Sequence, residues 1–170
     1  MRTRAVTSKV IFLDYDGPMI PARAHWLGSS RSWGMFDRFD PCAVAMMNDA
    51  IDVTGAKFVI SASAGNRGRE FNEALFLLNG MRAEDFHIDW VTDRDIFRKR
   101  EDQIEHWLDQ HPEVKRYAVV DDIDMTERFG ERMVCVTYVD GLMSAHRLKL
   151  IDLLGSREND DLYDHLHGAK

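Results

Sequence analysis

The stretch KVIFLDYDG, residues 9–17, constrains the fold of this chain more than any other feature. Four apolar residues, 10–13, run without a polar interruption into two aspartates, Asp14 and Asp16, and then a glycine. Alternating polarity is typical of a strand with one face in water, whereas an uninterrupted apolar run is typical of a strand buried on both faces. The stretch therefore predicts a core strand that carries two carboxylates at its end.

The rest of the chain alternates between strand and helix patterns. Residues 41–54 follow Asp40, a favourable N-cap, carry Pro41 in the first turn and stop before Gly55, so they predict a helix. We predict further strands in AKFVISAS, RYAVVDD and RMVCVTYV, and further helices at 67–79, in REDQIEHWLDQHP and in SAHRLKLIDLLG. This alternation predicts an α/β fold, a three-layer Rossmann-like sandwich with a mainly parallel sheet.

The spacing of apolar residues predicts which positions of each helix face the core. The predicted inward positions are Val44, Met47 and Ile51 in the helix at 41–54, Phe71, Leu75 and Leu78 in the helix at 67–79, and Leu148, Ile151 and Leu154 in the last helix.

Composition limits the class of protein and its partners. The 170 residues, 45% hydrophobic and 30% charged, predict one domain with a core at about 9–154, a flap or small cap loop at 17–40 and a polar tail at 155–170. A net charge of -7 disfavours non-specific binding to nucleic acid, although it leaves room for a locally basic groove.

The apolar runs and the cysteines limit the location of the protein. No run approaches the ~18 apolar residues that a membrane span needs, so we expect no membrane partner. Cys42 and Cys135 lie among apolar residues and lack CxxC spacing, which predicts two small core residues in a reducing cytoplasm, not a zinc site or a disulfide.

Polar side chains follow three of the predicted strands. They are Asp14 and Asp16 after the first, Ser61 and Ser63 after the second, and Asp121 and Asp122 after the third. The carboxyl ends of parallel strands share one rim, with neighbours about 4.8 Å apart, so these carboxylates should converge. Crowded like charges raise one another's pKa or demand a cation, and oxygen ligands without His or Cys favour a hard ion such as Mg²⁺.

In their order, these motifs resemble those of the haloacid dehalogenase (HAD) superfamily of phosphotransferases. FLDYDGPMI is similar to its Asp-x-Asp-Gly box, VISAS to its strand ending in Ser or Thr, KREDQIEHWL to its basic residue near a helix start, and YAVVDD to its acidic pair. The closest resemblance is to the small HAD domains of "Swiss Army Knife" RNA-repair proteins. They share segments like TGAKFVIS, the pattern R-x-x-x-I-x-x-WL-x-x-HPEV-x-R-Y and a late Gly-Leu pair, here Gly141-Leu142. The resemblance covers about residues 9–154 and implies a HAD-like fold with a small or absent cap.

The resemblance implies a Mg²⁺-dependent phosphatase that works through an aspartyl-phosphate. Asp14 would be the nucleophile, Asp16 the general acid and base, and Ser61 a hydrogen-bond donor to a phosphoryl oxygen. The basic residue of the third motif is either Lys99 or Arg100, and the residues leave that choice open.

The resemblance also implies a set of binding residues. Mg²⁺ would be held by Asp14, Asp16 through its backbone carbonyl, Asp121 and Asp122. We expect substrate contacts from Gly17, Ala62, Ser63 and Arg67. The closer family continues its second motif with Trp-Arg where this chain has Ala64-Gly65, so these substrate contacts should differ from those of its relatives. Arg67 and Arg69 just downstream could supply a substitute charge, or they could form the solvated start of a helix.

The loop at 17–40 is too short for a large cap domain. An open site suits a bulky substrate: a nucleotide, a nucleic-acid end or another phosphomonoester. Basic and aromatic residues of the loop would suit base stacking and phosphate pairing, although the tryptophans could instead pack the loop onto the domain. These residues are Arg23, His25, Trp26, Arg31 and Trp33. The alternative function is a catalytically silent HAD-like domain that binds or regulates a partner.

Overall fold

The computed structural model describes residues 8–26 and 38–157. Part of the predicted flap and most of the predicted tail therefore lie outside the described residues. The expectations affected are those for Arg31, Trp33, the tail at 158–170, and the side chains of His25 and Trp26.

Five parallel strands form one sheet in the order β3-β2-β1-β4-β5. Leu13, the last residue of the central strand, lies opposite Ile60 on one side and Val120 on the other, so the three middle strands end nearly level. The strands are β1 at Lys9–Leu13, β2 at Lys57–Ile60, β3 at Phe86–Val91, β4 at Arg116–Asp121 and β5 at Met133–Cys135.

Helices connect the strands and cover the sheet. They are α1 at Ala22–Trp26, α2 at Pro41–Thr54, α3 at Arg69–Leu78, α4 at Arg100–Gln110, α5 at Thr126–Phe129 and α6 at Ser144–Leu154, with 3₁₀ turns at Ser63–Arg67, Ala83–Asp85 and Gly130–Arg132. Within the described ranges, no helix combines the length and the apolar character that crossing a membrane requires.

Both faces of β1 are buried, as its apolar run predicted. Val10 and Phe12 pack with α4 and α5, where Ile104, Trp107 and Phe129 form the core of that side. Ile11 and Leu13 point to the opposite face. That face is covered by side chains of α2, α3 and α6, namely Met47, Ile51, Leu75, Phe76, Leu150 and Leu154. The predicted three-layer α/β sandwich is therefore confirmed.

The local signals around α2 act as predicted. The Asp40 carboxylate accepts a hydrogen bond from the Cys42 N–H at 3.1 Å, which satisfies a free donor of the first turn. Gly55 ends the helix with φ of 73°, and its N–H donates to the Ile51 carbonyl. Arg23, which we expected to serve a substrate, donates from Nε to Asp40 at 2.6 Å and so braces this cap.

Two strands differ from the prediction. β3 was not predicted, because its segment FHIDWV has polar residues at two positions and lies at the edge of the sheet, where one flank contacts solvent. β5 is shorter than the predicted RMVCVTYV segment: it ends at Cys135, and the chain then turns through an antiparallel bridge between Thr137 and Gly141.

Four predicted core positions are wrong. Leu78 and Leu148 are exposed, as are both cysteines, Cys42 in the first turn of α2 and Cys135 at the end of the edge strand β5. In α6 the inward stripe runs through Leu150 instead. Residues two apart on a helix differ in direction by about 200°, so burying Leu150 turns Leu148 toward water.

The direction of α6 can be tested by two leucine substitutions. Leu150→Ala removes a fully buried side chain and should lower the free energy of unfolding by about 2–5 kcal/mol. Leu148→Ala, the matched control on the exposed face, should stay within about 0.5 kcal/mol of the wild type. Urea denaturation of the two variants measures both values, and equal losses would contradict this orientation of the helix.

Candidate active site

The backbone ladder continues one residue past the central strands and places their end residues on one rim. The Asp14 N–H donates to the Val120 carbonyl at 3.0 Å, and the Ser61 N–H donates to the Leu13 carbonyl at 3.1 Å. Asp121 is the last residue of β4. The positions of these residues are therefore set by the sheet itself.

Three carboxylates converge at this rim. Ligand oxygens of Asp14, Asp121 and Asp122 lie within 4.8 Å of one another. Asp14 and Asp121 are buried, and Asp122 is half-buried. Hard cations such as Mg²⁺ take oxygen ligands, and a buried group of carboxylates is stabilised by positive charge beside it or by protonation. The donor set of this rim therefore fits a hard divalent cation.

Arg100, the first residue of α4, reaches the same carboxylates. Its Nη1 lies 3.1 Å from an Asp14 oxygen and also forms an ion pair with Asp121. Lys99 precedes the helix and is exposed, on a surface depression that also holds Asp124 and Arg128. Of the two basic residues left open by the sequence, Arg100 is the one that contacts this rim.

Burial shifts the pKa of two aspartates at the rim. Burial raises the pKa of Asp14 to about 7; the Arg100 guanidinium works in the opposite direction, and the nearby Asp121 adds to the rise. Burial likewise raises the pKa of Asp121, although Arg100 opposes the shift. One guanidinium therefore does not offset the burial of these carboxylates.

The turn after Asp14 depends on a glycine. The N–H groups of Met19 and Ile20 both donate to the Tyr15 carbonyl, at 3.0 and 2.8 Å. Gly17 has φ of 86°, and a Cβ at this position would lie 2.6 Å from the Cβ of Asp122. A side chain here would strain the backbone and push the acidic pair away, so glycine is required for the carboxylates to converge.

A small cleft lies along the turn that follows Asp14 and the segment that follows Ser61. Its volume is about 170 Å³, and it is lined by Tyr15, Asp16, Ile20, Ala62, Ser63, Ala64 and Arg67. The Asp16 side chain is exposed and belongs to this cleft, not to the group of three carboxylates. The cleft thus brings together Asp16 and three residues for which the sequence predicted substrate contacts.

The Ser61 hydroxyl is the polar group of the rim that lacks a partner. The residue is buried, and its Oγ forms no hydrogen bond within the described part of the chain. A buried hydroxyl without a partner is unfavourable by about 1–3 kcal/mol. Such a group is expected where a ligand supplies the missing hydrogen bond.

Tertiary structure also assembles a cluster that the sequence did not reveal. His87 and Asp89 on β3 and His111 after α4 place ligand atoms within 4.8 Å of one another. His111 Nδ1 donates to the Trp107 carbonyl at 2.7 Å, and its Nε2 lies 2.9 Å from an Asp89 oxygen. The Asp89 N–H donates to His87 Nδ1 at 3.1 Å.

These hydrogen bonds already use three of the four imidazole nitrogens, so we interpret the cluster as a structural clamp between β3 and the end of α4. The rings of His111 and Trp107 stack with centroids 3.7 Å apart, which adds packing to the polar contacts. The one signal in the sequence was the His-x-Asp alternation of a strand, and by itself it is too common to predict the cluster.

A family model described as the HAD domain in Swiss Army Knife RNA repair proteins matches residues 10–146. The matched range contains the three carboxylates, Ser61, Arg100 and the cleft. Comparisons with curated proteins and with solved structures gave no significant match.

Mg²⁺ should stabilise the folded chain if the three carboxylates hold it. At about 100 times its dissociation constant, a ligand adds about 2.7 kcal/mol, which for a chain of this size raises the Tm by roughly 5–10 °C. Calorimetry with Mg²⁺ and then EDTA measures the shift. Asp122→Asn should reduce it, whereas Asp124→Asn, an exposed control two residues away, should keep it. An equal Tm with Mg²⁺ and with EDTA would contradict the metal site.

Stability should also decrease in mild acid because of His87. Burial lowers the pKa of His87 below its ordinary value of 6.5. The unfolded chain therefore takes up a proton at this residue at a higher pH than the folded chain does. The contribution of neutral His87 to the free energy of unfolding is complete above pH 6.5 and is lost as the pH falls below that value. Urea denaturation between pH 8 and 5 should show a shallower decrease for His87→Asn than for the wild type. Parallel curves would exclude this contribution.

Proposed function

The chain belongs to the family of HAD domains in Swiss Army Knife RNA repair proteins, and on that premise we propose that it is a Mg²⁺-dependent phosphatase acting through an aspartyl-phosphate. The observation that carries the proposal is the convergence of Asp14, Asp121 and Asp122 with Arg100. Each of these four side chains has a role in the transfer of a phosphoryl group from an ester to water.

In the first step the substrate phosphorus is attacked by a carboxylate oxygen of Asp14. The bond from phosphorus to the ester oxygen breaks, and the leaving oxygen takes a proton from Asp16. Asp16 is suited to this because it is exposed in the cleft beside Asp14, where a leaving group has room.

In the second step water attacks the phosphorus of the aspartyl-phosphate. The Asp16 carboxylate accepts the proton of the water, the bond to the Asp14 oxygen breaks, and inorganic phosphate leaves. The two carboxyl groups return to their starting states, so the reaction is balanced: ester and water give alcohol and phosphate.

Ser61 and Arg100 would stabilise the charge of the phosphoryl group. The Ser61 hydroxyl lacks a partner and would donate to a phosphoryl oxygen. Arg100 holds Asp14 and Asp121 in place and contributes a positive charge. Asp14, Asp121, Asp122 and the Asp16 carbonyl would hold Mg²⁺, which when bound offsets the repulsion between the carboxylates and the phosphoryl group.

As the substrate class we propose nucleotides or phosphorylated nucleic-acid ends. The family description, which names RNA repair proteins, supports this class. We keep the cytoplasm as the proposed location, with which the free thiols of Cys42 and Cys135 are compatible.

Phosphate release from an aryl phosphate tests the proposal. We expect turnover with Mg²⁺ and loss of turnover with EDTA. Asp14→Asn removes the nucleophile and should lower kcat by about 10³-fold or more, which is over 4 kcal/mol of barrier. Asp124→Asn, which changes the same charge on a neighbouring exposed loop, should keep wild-type activity.

Two results would overturn the proposal: hydrolysis that persists without metal, and full activity in Asp14→Asn. Absence of turnover with aryl phosphate, nucleotides and 3′- or 5′-phosphorylated oligonucleotides at saturating Mg²⁺ would instead favour the catalytically silent binding domain.

A further inference from the structure

We propose that Arg67 selects phosphomonoesters that carry a second anionic group, and that Tyr15 and Asn72 position the turn that presents it. The inference rests on the proposed phosphatase function and specifies the substrate of the same site. The second anion could be another phosphate or a phosphodiester, since a guanidinium binds either.

Arg67 forms no ion pair with a carboxylate of the described residues. Its guanidinium carbon lies 3.6 Å from the centre of the Phe71 ring, and its side chain is exposed. Stacking occupies the face of a guanidinium and leaves the N–H groups at its edge free to donate. Arginines that pair with carboxylates are Arg23, Arg69, Arg82, Arg100, Arg128 and Arg147.

Arg67 lies on the side of the site where the leaving group of the proposed reaction would be. It shares the cleft with Asp16, the proposed proton donor to the leaving oxygen, and it is the cationic member of the described lining. A substituent on the leaving group would enter this cleft once the phosphoryl group lies at Asp14. Arg67 would therefore contact the part of the substrate beyond the scissile bond.

The charge of the rim explains why a second anion needs its own cation. Asp14, Asp121 and Asp122 crowd the rim, and Asp16 lines the cleft. Arg100 is already committed to Asp14 and Asp121. An additional negative group on the substrate would be repelled by these carboxylates unless a cation faced it directly, and Arg67 is placed to do so.

A buried polar network links the 3₁₀ turn at Ser63–Arg67 to the turn that follows Asp14. Asn72 Nδ2 donates to two carbonyls, that of Ala64 inside the 3₁₀ turn at 2.9 Å and that of Gly68 just after it at 2.8 Å. Its Oδ1 accepts from the Tyr15 hydroxyl at 2.8 Å. Tyr15 lies between the two aspartates of the first motif, so these hydrogen bonds link the turn that carries Arg67 to the segment that carries both aspartates.

Close packing restricts the same turn from its other side. A Cβ on Gly65 would lie 2.6 Å from a Val91 methyl carbon, so the backbone of the turn sits directly against β3. Binding of an anion at Arg67 would thus require little ordering of the backbone, and preorganisation of this kind favours affinity.

The test compares a nucleoside 3′,5′-bisphosphate with the two corresponding monophosphates. The measured quantity is the ratio of kcat/KM for the bisphosphate to that for the better monophosphate. We expect a wild-type ratio of about ten or more, because a charge-assisted hydrogen bond of this kind changes affinity by about that factor. Arg67→Gln should bring the ratio close to one.

Arg69→Gln is the matched control. It removes the same charge two residues away, but Arg69 is engaged by Glu73 and by the Ile88 carbonyl, so the ratio should keep its wild-type value. Equal losses in the two variants would mean that only net charge matters and would overturn the inference, as would a wild-type ratio of one.

Tyr15→Phe tests the positioning role of the network. The ring and its packing remain, but Asn72 loses the hydroxyl that orients it. We expect a lower ratio that arises from a raised KM for the bisphosphate, with the monophosphate KM changed less. An unchanged ratio would remove Tyr15 from the proposal.

Binding separates failure of this inference from failure of the phosphatase proposal. Titration calorimetry of Asp14→Asn with the same three compounds in Mg²⁺ needs no turnover. Tighter binding of the bisphosphate, lost in Asp14→Asn/Arg67→Gln, would support anion selection even in an inactive protein. Equal affinities would overturn it, even if the wild type hydrolyses aryl phosphate.

Discussion

The structure is organised around the burial of two carboxylates, Asp14 and Asp121, side by side at the ends of neighbouring central strands. Such an arrangement is unfavourable by itself, and the raised pKa of Asp14 reports how strongly burial opposes its charge. Arg100, at the start of α4, forms ion pairs with both carboxylates. Together with Asp122, their oxygens could also bind a hard cation, which would add further positive charge. Under the proposed function, a cation held at this rim would also offset the charge of a phosphoryl group.

The parts of the molecule that face this rim are made rigid in different ways. The backbone hydrogen bonds of the sheet continue through Asp14 and Ser61, so the core strands fix the positions of these two residues. Asp122 lies so close to the turn that follows Asp14 that only glycine fits at position 17. The cleft is held by side-chain hydrogen bonds of Asn72. The proposed catalytic residues are thus positioned by the backbone, whereas the proposed substrate contacts are positioned by side chains.

Membership of the HAD family is consistent with this division. The matched range contains every group that the chemistry would use, while Ala64 and Gly65 stand in the turn where relatives were expected to carry bulkier residues. Arg67 lies in that same turn. A shared rim and a different turn are what we would expect for a protein that keeps a phosphoryl-transfer reaction and selects its own substrate.

The sequence by itself determined the layers of the fold, the central strand and the convergence of Asp14, Asp121 and Asp122, whereas the Asp16 side chain lies outside this group. Apolar runs and capping residues are local signals, and parallel strands place their carboxyl ends together whatever the details of packing. Tertiary structure alone decided that Arg100 and not Lys99 contacts the rim, that Leu150 and not Leu148 faces the core, and that His87, Asp89 and His111 meet. These outcomes depend on how far each helix is rotated and where it begins against the sheet. One residue of helix corresponds to about 100° of rotation, a difference that the packing of whole surfaces resolves and a short sequence pattern does not.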